Sequence, residues 1–108
     1  MFIIIIIELP TSITKFGIQL FGCCSSLSSI TLHDNYNEVK YGGFIGCSSL
    51  SNIQLPSTVT KIGKIAFQYC TSLTSINLEN IKEFGKSCFY NSDITKQNYP
   101  HLPDNCFK

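Results

Sequence analysis

The sequence has little charge and no arginine. Asp, Glu, Lys and Arg make up 14% of the 108 residues, and all eight basic residues are lysines, set against seven acidic residues. Proteins that bind nucleic acid usually carry a basic surface, and they read guanine and clamp phosphate with the planar fork of arginine. Because the chain has neither feature, we predict no nucleic-acid partner.

Long hydrophobic runs are also missing. The apolar run that opens the chain ends at Glu8 and contains no early lysine. A bilayer span needs about 20 apolar residues, and a secretory signal needs a basic start and a cleavage site with small residues. We therefore predict no membrane span and no signal peptide. Cellular location stays open, with the cytoplasm as the default.

Side chains suited to catalysis or metal binding are few. The only histidines are His33 and His101, and the six cysteines are either adjacent, as Cys23 and Cys24 are, or 18 or more residues apart. Zinc sites need four ligands, typically in closely spaced pairs. No phosphate-binding glycine loop is present either. The sequence therefore predicts no enzyme activity, no cofactor and no metal site.

What the sequence has instead is repetition at an offset of 23 residues. "CSSLSSITL", which ends at Leu32, returns as "CSSLSNIQL" and as "CTSLTSINL", ending at Leu55 and Leu78. Upstream positions also align: Ile13, Tyr36 and Val59; Phe16, Val39 and Ile62; Phe21, Phe44 and Phe67; Cys24, Cys47 and Cys70. A fourth unit follows after a contraction of one residue. Such self-similarity indicates stacked coils, here a single domain over residues 1–108 with about four units.

Each unit has a local interpretation. The Leu-x-x-Ile-x-Leu segment predicts a short strand with its apolar side inward. In the third unit Pro56 ends that strand, an extended piece leads to Gly63, and "KIAFQYC" has spacings suited to a single helical turn. Stacking places equivalent residues about 4.8 Å apart, in ladders. The ladder cysteines are predicted to be buried and reduced, and Cys23 to be the exposed thiol.

The two ends depart from the pattern. Ile4, Ile7 and Leu9 occupy the strand positions of a partial unit before the first, so residues 3–9 predict a strand whose outer edge could pair with another copy of the chain. Near the other end Gln97 stands where the central isoleucine belongs, which predicts an irregular last strand. Cys106 is followed by a phenylalanine, as Cys88 is, and so echoes the repeat.

The third unit, "LPSTVTKIGKIAFQYCTSLTSINL" from Leu55 to Leu78, resembles the BspA-like leucine-rich repeat almost position by position. The second unit departs from that pattern at His33 and Lys40. The resemblance implies an α/β repeat solenoid: a right-handed leucine-rich-repeat coil with short parallel strands on the concave face and short helical turns or irregular segments on the convex face. It also implies protein recognition and, in some members, adhesion at cell surfaces.

The strand residues beside the buried isoleucines point outward. These candidate binding residues are Ser29, Thr31, Asn52, Gln54, Ser75 and Asn77. All are small or neutral hydrogen-bonding side chains, so we predict a non-catalytic module for protein interaction or adhesion that uses this face, with a partner whose identity is open. Two alternatives remain. The polar residues could merely keep the sheet soluble, or the chain could be a structural fragment of a longer array without a ligand of its own.

Overall fold

The computed structural model describes residues 5–8, 25–32, 34 and 36–108, with residues 5–8 described as strand backbone. Seven short strands and one 3-10 helix follow in chain order: β1 Ile5–Glu8, β2 Leu27–Thr31, β3 Glu38–Val39, β4 Asn52–Gln54, β5 Lys61–Ile62, β6 Ser75–Ile76, β7 Glu83–Phe84 and the helix Asp104–Phe107. Each strand is short because only one side of a coil contributes to each sheet.

The strands form two parallel sheets. One has four strands in the order β1-β2-β4-β6, and the other has three in the order β3-β5-β7. In the first sheet Ile30 pairs with Ile53, and Ile53 pairs with Ile76. These partners are the residues that the offset of 23 aligns. The predicted repeat solenoid is therefore confirmed, with one coil per repeat.

The first strand follows the predicted register only in part. Ile7 pairs with Ile30, as the offset requires, but Leu27 pairs with Ile5 and not with Ile4. The register shifts between Ile5 and Ile6, which pair with Leu27 and Ser29, so Ser28 is an extra residue in β2. Such bulges place two residues of one strand opposite one residue of its neighbour. Leu9, the third predicted strand position, lies outside the described residues.

The core is a set of stacked apolar ladders. The ring centroids of Phe44 and Phe67 lie 5.3 Å apart, with an angle of 7° between the ring planes. Those of Phe67 and Phe89 lie 5.6 Å apart, with an angle of 13°. All three rings are buried, as are Cys47 and Cys70 beside them. The predicted ladders are thus present in the described coils. The first-unit positions Ile13, Phe16, Phe21 and Cys24 lie outside the described residues, as does Cys23.

The segment predicted as a helical turn is a series of tight turns. Ile65 and Tyr69 have φ values of 53° and 63°, which belong to the left-handed region and interrupt a right-handed helix. In this segment, and in the equivalent segment one coil earlier, alternate N–H groups donate to the next coil. Phe67 N–H donates to Cys88 O at 2.8 Å, and Phe44 N–H donates to Ala66 O at 2.8 Å. The prediction of a helical turn is therefore wrong. Of the two predicted forms, helical turn or irregular segment, the irregular segment is correct.

Gly63 and Gly85 hold the same repeat position, and this position allows the coils to approach closely. A Cβ placed on Gly63 would lie 2.8 Å from Lys40 C and Tyr41 N, and a Cβ on Gly85 would collide with the backbone at Lys64. Both obstacles are backbone atoms, which cannot move aside as a flexible side chain would. The glycine therefore lets the chain pass directly over the coil before it.

The last coil is shorter than the others. Ile94 and Leu102 are buried, Gln97 is exposed, and no strand forms among the described residues after β7. The irregular last strand is therefore confirmed. The turn that follows nevertheless stacks on its neighbour, because Phe89 N–H donates to Cys106 O at 2.9 Å. Cys106 thus takes the place on this last turn that Cys88 takes on the fourth coil.

Candidate protein-binding face

The six predicted residues line one side of the four-stranded sheet in two columns. Register pairs Ser29 with Asn52 and Asn52 with Ser75, and it pairs Thr31 with Gln54. Ser29 and Asn77 are half-buried, whereas Thr31, Asn52, Gln54 and Ser75 are exposed. We call these six residues the polar face. Parallel pairing brings the columns together because equivalent residues of successive coils share one register.

The polar face extends further than the sequence reasoning predicted. Ser51 N–H donates to Ser28 O and Thr74 N–H donates to Ser51 O, each at 3.3 Å, so a third column continues the stacking. Ser51 and Thr74 are exposed. The signal was available: both residues between the leucine and the isoleucine of the Leu-x-x-Ile segment are small and polar in the first three units.

Asn77 differs from the other five because its side chain is bound within the fold. Its Oδ1 accepts from Leu55 N–H and its Nδ2 donates to Leu55 O, each at 2.7 Å. In the pair β2–β4 the backbone ladder continues to Gln54, whereas in β4–β6 it ends at Ile76. The Asn77 amide takes over the two backbone bonds beyond that point. Its polar groups are therefore engaged in holding two coils together.

Neutrality distinguishes the polar face from the other sheet. The segments that build it, residues 24–32, 47–55 and 70–78, contain no Asp, Glu, Lys or Arg. The three-stranded sheet instead pairs Glu38 with Lys61 and Lys61 with Glu83 in register. Lys61 Nζ lies 3.6 Å from Glu83 Oε2. Strands β2, β4 and β6 thus present neutral hydrogen-bonding groups, whereas β1 of the same sheet ends at Glu8, the register partner of Thr31. The three-stranded sheet presents alternating charges.

An apolar groove of about 500 Å³ lies near the shortened last coil. Its lining includes the apolar side chains of Ile76, Ile81 and Phe84, together with Glu79 and His101. Catalytic sites bring an acid, a base or a nucleophile within hydrogen-bond reach of each other. Neither the described hydrogen bonds nor the ion pairs place such a combination in this groove.

The described cysteines are buried: Cys47, Cys70, Cys88 and Cys106. The Cys70 thiol donates to Phe44 O at 3.1 Å, and burial raises the pKa of Cys70 to about 12. Since the thiolate is the reactive form of cysteine, this thiol is inert near neutral pH. The repeated cysteine position thus serves packing in the two coils where it is described.

Two further observations apply to the described part of the chain. Within it, no group of three or more His, Cys, Asp or Glu side chains is arranged to hold a metal ion. None of the helices found there has the length and apolar character needed to cross a bilayer.

Comparisons with known proteins agree with this geometry. The model of the BspA-type leucine-rich repeat region matches residues 3–108, in six copies. Among solved structures, the leucine-rich repeat protein TpLRR of T. pallidum is similar, with a TM-score of 0.67 and 23% sequence identity over 82% of this chain. The chain spans 43% of that protein's length, and at this identity the likeness shows the fold alone. A search of curated proteins found no match. Since the family pattern covers nearly every residue, the chain belongs to the BspA-type leucine-rich repeat family.

Proposed function

We propose that the chain is a non-catalytic module that binds another protein through the polar face. The observation that carries this proposal is the uncharged, hydrogen-bonding surface that continues across three stacked coils. Leucine-rich repeats typically mediate protein interactions, and membership of the family favours the same role here. Adhesion at a cell surface is the form of that role suggested by the family resemblance.

A neutral face recognises its partner by shape and hydrogen bonds. Charge steers encounter and makes association sensitive to salt, because exposed charges are screened beyond about 8 Å at physiological ionic strength. The polar face carries no charge of its own, so binding through it should depend weakly on salt. Binding through the column of Glu38, Lys61 and Glu83 should weaken as salt increases. Salt dependence therefore distinguishes the two sheets as binding surfaces.

The experiment compares affinity capture by the parent chain with capture by an Asn52→Lys/Ser75→Lys variant. These two exposed residues are register partners at the centre of the polar face, and neither makes the structural bonds of Asn77. An Asn37→Lys/Asn105→Lys variant is the control, because it adds the same charge at two exposed positions outside the polar face, one beside β3 and one in the 3-10 helix. Melting curves establish that all three chains are folded before binding is compared.

The proposal expects a protein that the parent and the control retain and the polar-face variant loses. A titration of that protein at low and high salt should give dissociation constants within about threefold of each other. Equal retention by both variants would move the binding site off the polar face. If the parent retains no protein at all, the chain is better described by the second candidate, a structural segment of a longer repeat array without a ligand of its own.

Self-association is a second proposed interaction. β1 stands at one end of the described order β1-β2-β4-β6 and pairs with β2 on one side. Strands at a sheet edge present backbone groups that can pair with another chain. The five consecutive isoleucines of residues 3–7 add the high β-propensity and low charge of aggregation-prone segments.

Light scattering tests this second interaction at high micromolar concentration. Ile6→Lys is the informative variant, because Ile6 pairs with the half-buried Ser29, whereas Ile7 pairs with the buried Ile30. Thr31→Lys adds the same charge to the interior strand β2 and is the control. We expect the parent and Thr31→Lys to associate and Ile6→Lys to associate less. A monomeric parent chain would contradict the proposal.

A further inference from the structure

Two of the buried cysteines are brought together by the way the terminal turn stacks on the fourth coil. Cys88 belongs to the turn after β7, and Cys106 belongs to the 3-10 helix Asp104–Phe107. Backbone bonds flank Cys88 on both sides: Ser87 N–H donates to Asn105 O at 2.7 Å, and Phe89 N–H donates to Cys106 O at 2.9 Å. Cys88 therefore lies directly beside the backbone of residues 105 and 106.

This placement suits a covalent bridge. Neighbouring chains joined by such a ladder lie about 4.8 Å apart, and disulfides join residues whose Cα atoms are about 4.4 to 6.8 Å apart. Both side chains are fully buried, and each thiol is the largest cause of the other's shifted pKa. The interaction between them raises the pKa of Cys88 and lowers the pKa of Cys106.

A lysine adds to the asymmetry between the two thiols. Lys96 Nζ donates to Leu102 O and lies 3.2 Å from Asp104 Oδ1, so its ammonium group is anchored to the segment that carries Cys106. The charge of Lys96 also lowers the pKa of Cys106, whereas burial acts against this by raising it. A thiolate beside a cation attacks disulfides, whereas a buried thiol in apolar surroundings does not. Cys106 is therefore suited to attack first and Cys88 to follow.

Cys70 provides an internal comparison. Its coil stacks on the coil of Cys47, and both are buried, but the Cys70 thiol donates to the carbonyl of Phe44. Nothing comparable to Lys96 is among the causes of its shifted pKa, which burial raises to about 12. Stacking alone therefore does not make a reactive pair, and Cys88 with Cys106 is distinct in its electrostatics and in its position at the terminal turn.

We propose that Cys88 and Cys106 form a reactive dithiol that a small-molecule disulfide oxidises to an intramolecular bridge. The Cys106 thiolate attacks one sulfur of the reagent and releases the other half as a thiol. Cys88 then loses its proton and attacks the mixed disulfide at Cys106, which releases the second half as a thiol. The protein gives up two electrons and two protons, and the reagent takes both. The bridge fastens the terminal turn to the fourth coil.

Access to the pair comes from opening of the terminal turn. Cys106 has no exposed surface in the closed structure, so the reagent reaches it when the short 3-10 helix separates from its neighbour. A single 3-10 turn whose residues other than Cys106 are exposed or half-buried opens locally at lower cost than the core. The bridge, once formed, prevents that opening. Since it closes the loop between the two cysteines, it should raise the melting temperature by roughly 10 °C.

The test uses the full chain, oxidised glutathione as the reagent, and trypsin after acid quenching and alkylation. Lysines separate the cysteines of interest: Cys88 falls in the peptide of residues 87–96, Cys106 in 97–108, Cys47 in 41–61 and Cys70 in 65–82. We expect peptides 87–96 and 97–108 to appear linked about tenfold faster than peptides 41–61 and 65–82, because the 3-10 helix opens more readily than the core and the charge of Lys96 favours the Cys106 thiolate.

Cys88→Ala is the matched variant, because Ala66 occupies the equivalent position one coil earlier and is buried there. In this variant the linked peptides should be absent, Cys106 should carry only the glutathione adduct, and the melting temperature should not rise on oxidation. The proposal is overturned if the two pairs link at equal rates in the parent. It is also overturned if linkage of Cys88 to Cys106 requires denaturant, or if Cys88 stays reduced while Cys106 stops at the adduct.

Discussion

The middle coils and the last coil stack on their neighbours through the same backbone bonds, but the last coil uses fewer residues. In the middle, Phe44 N–H donates to Ala66 O, 22 residues along the chain, while at the end Phe89 N–H donates to Cys106 O, 17 residues along. The shorter coil has lost its strand, and the described residues after β7 contain only the 3-10 helix. The turn segment is kept even where the strand is not.

That difference indicates which part of the repeat holds the coils together. The turn segments supply the phenylalanine stack and the bonds between coils, so they bury the largest side chains and satisfy backbone groups at the same time. The strands supply the polar face. In the last coil Ile94 and Leu102 are buried in the apolar core. No strand among the described residues after β7 extends the polar face. The contacts that join the coils and the polar face thus lie on different sides of each coil.

The comparison predicts that the central ring of the stack carries the largest effect. Phe67→Ala removes a buried ring that contacts rings on both sides, and deletions of this kind cost about 3 to 5 kcal/mol. Phe107→Ala, at the half-buried end of the chain, should cost less than half as much. Denaturant unfolding gives both values. Equal losses would show that the turn stack is not the support of the middle coils.

Close approach of coils gives the second effect. Gly63→Ala places a Cβ 2.8 Å from the backbone at Lys40 and Tyr41, and forced displacement of packed backbone costs about 1 to 3 kcal/mol. Lys40→Ala is the control, since Lys40 holds the same repeat position without being glycine. Thermal melting of the two variants should separate them by several degrees. A Gly63→Ala chain as stable as the parent would mean that the coils can move apart at no cost.

The strand side should tolerate change better, except at Asn77. Asn77→Ala leaves the Leu55 N–H and C=O without their 2.7 Å partners, but water can reach this half-buried site, so we expect a loss of about 1 kcal/mol. Gln54→Ala, at the equivalent position one coil earlier, should change stability by less than about 0.5 kcal/mol. Melting curves distinguish the two. If Gln54→Ala lowered stability as much as Asn77→Ala does, the Asn77 amide would have no particular structural role.

Repetition made most of the fold predictable from the sequence. Aligned apolar positions such as Phe44 and Phe67 must stack once coils repeat, and the polar residues beside Ile53 must then face outward. The helical turn at residues 65–70 could not be excluded by spacing, because φ at Ile65 is imposed by bonds to the next coil. The engagement of Asn77 depends on a side-chain length that fits only where the backbone ladder ends.

The smallest effect concerns the strained turn itself. Ile65 has φ 53°, and the equivalent residue of the preceding coil is Gly42 with φ 63°. A β-branched residue in this region costs about 1 to 3 kcal/mol of strain, which glycine relieves. Ile65→Gly also loses the packing of a half-buried side chain, so the two effects should nearly cancel, leaving a change within about 1 kcal/mol. Ile62→Gly is the control: Ile62 lies buried in β5 without positive φ, and its loss should exceed about 3 kcal/mol. Urea midpoints for the two variants decide the matter, because similar losses would mean that the turn stores no strain and that Ile65 contributes to stability as an ordinary core residue.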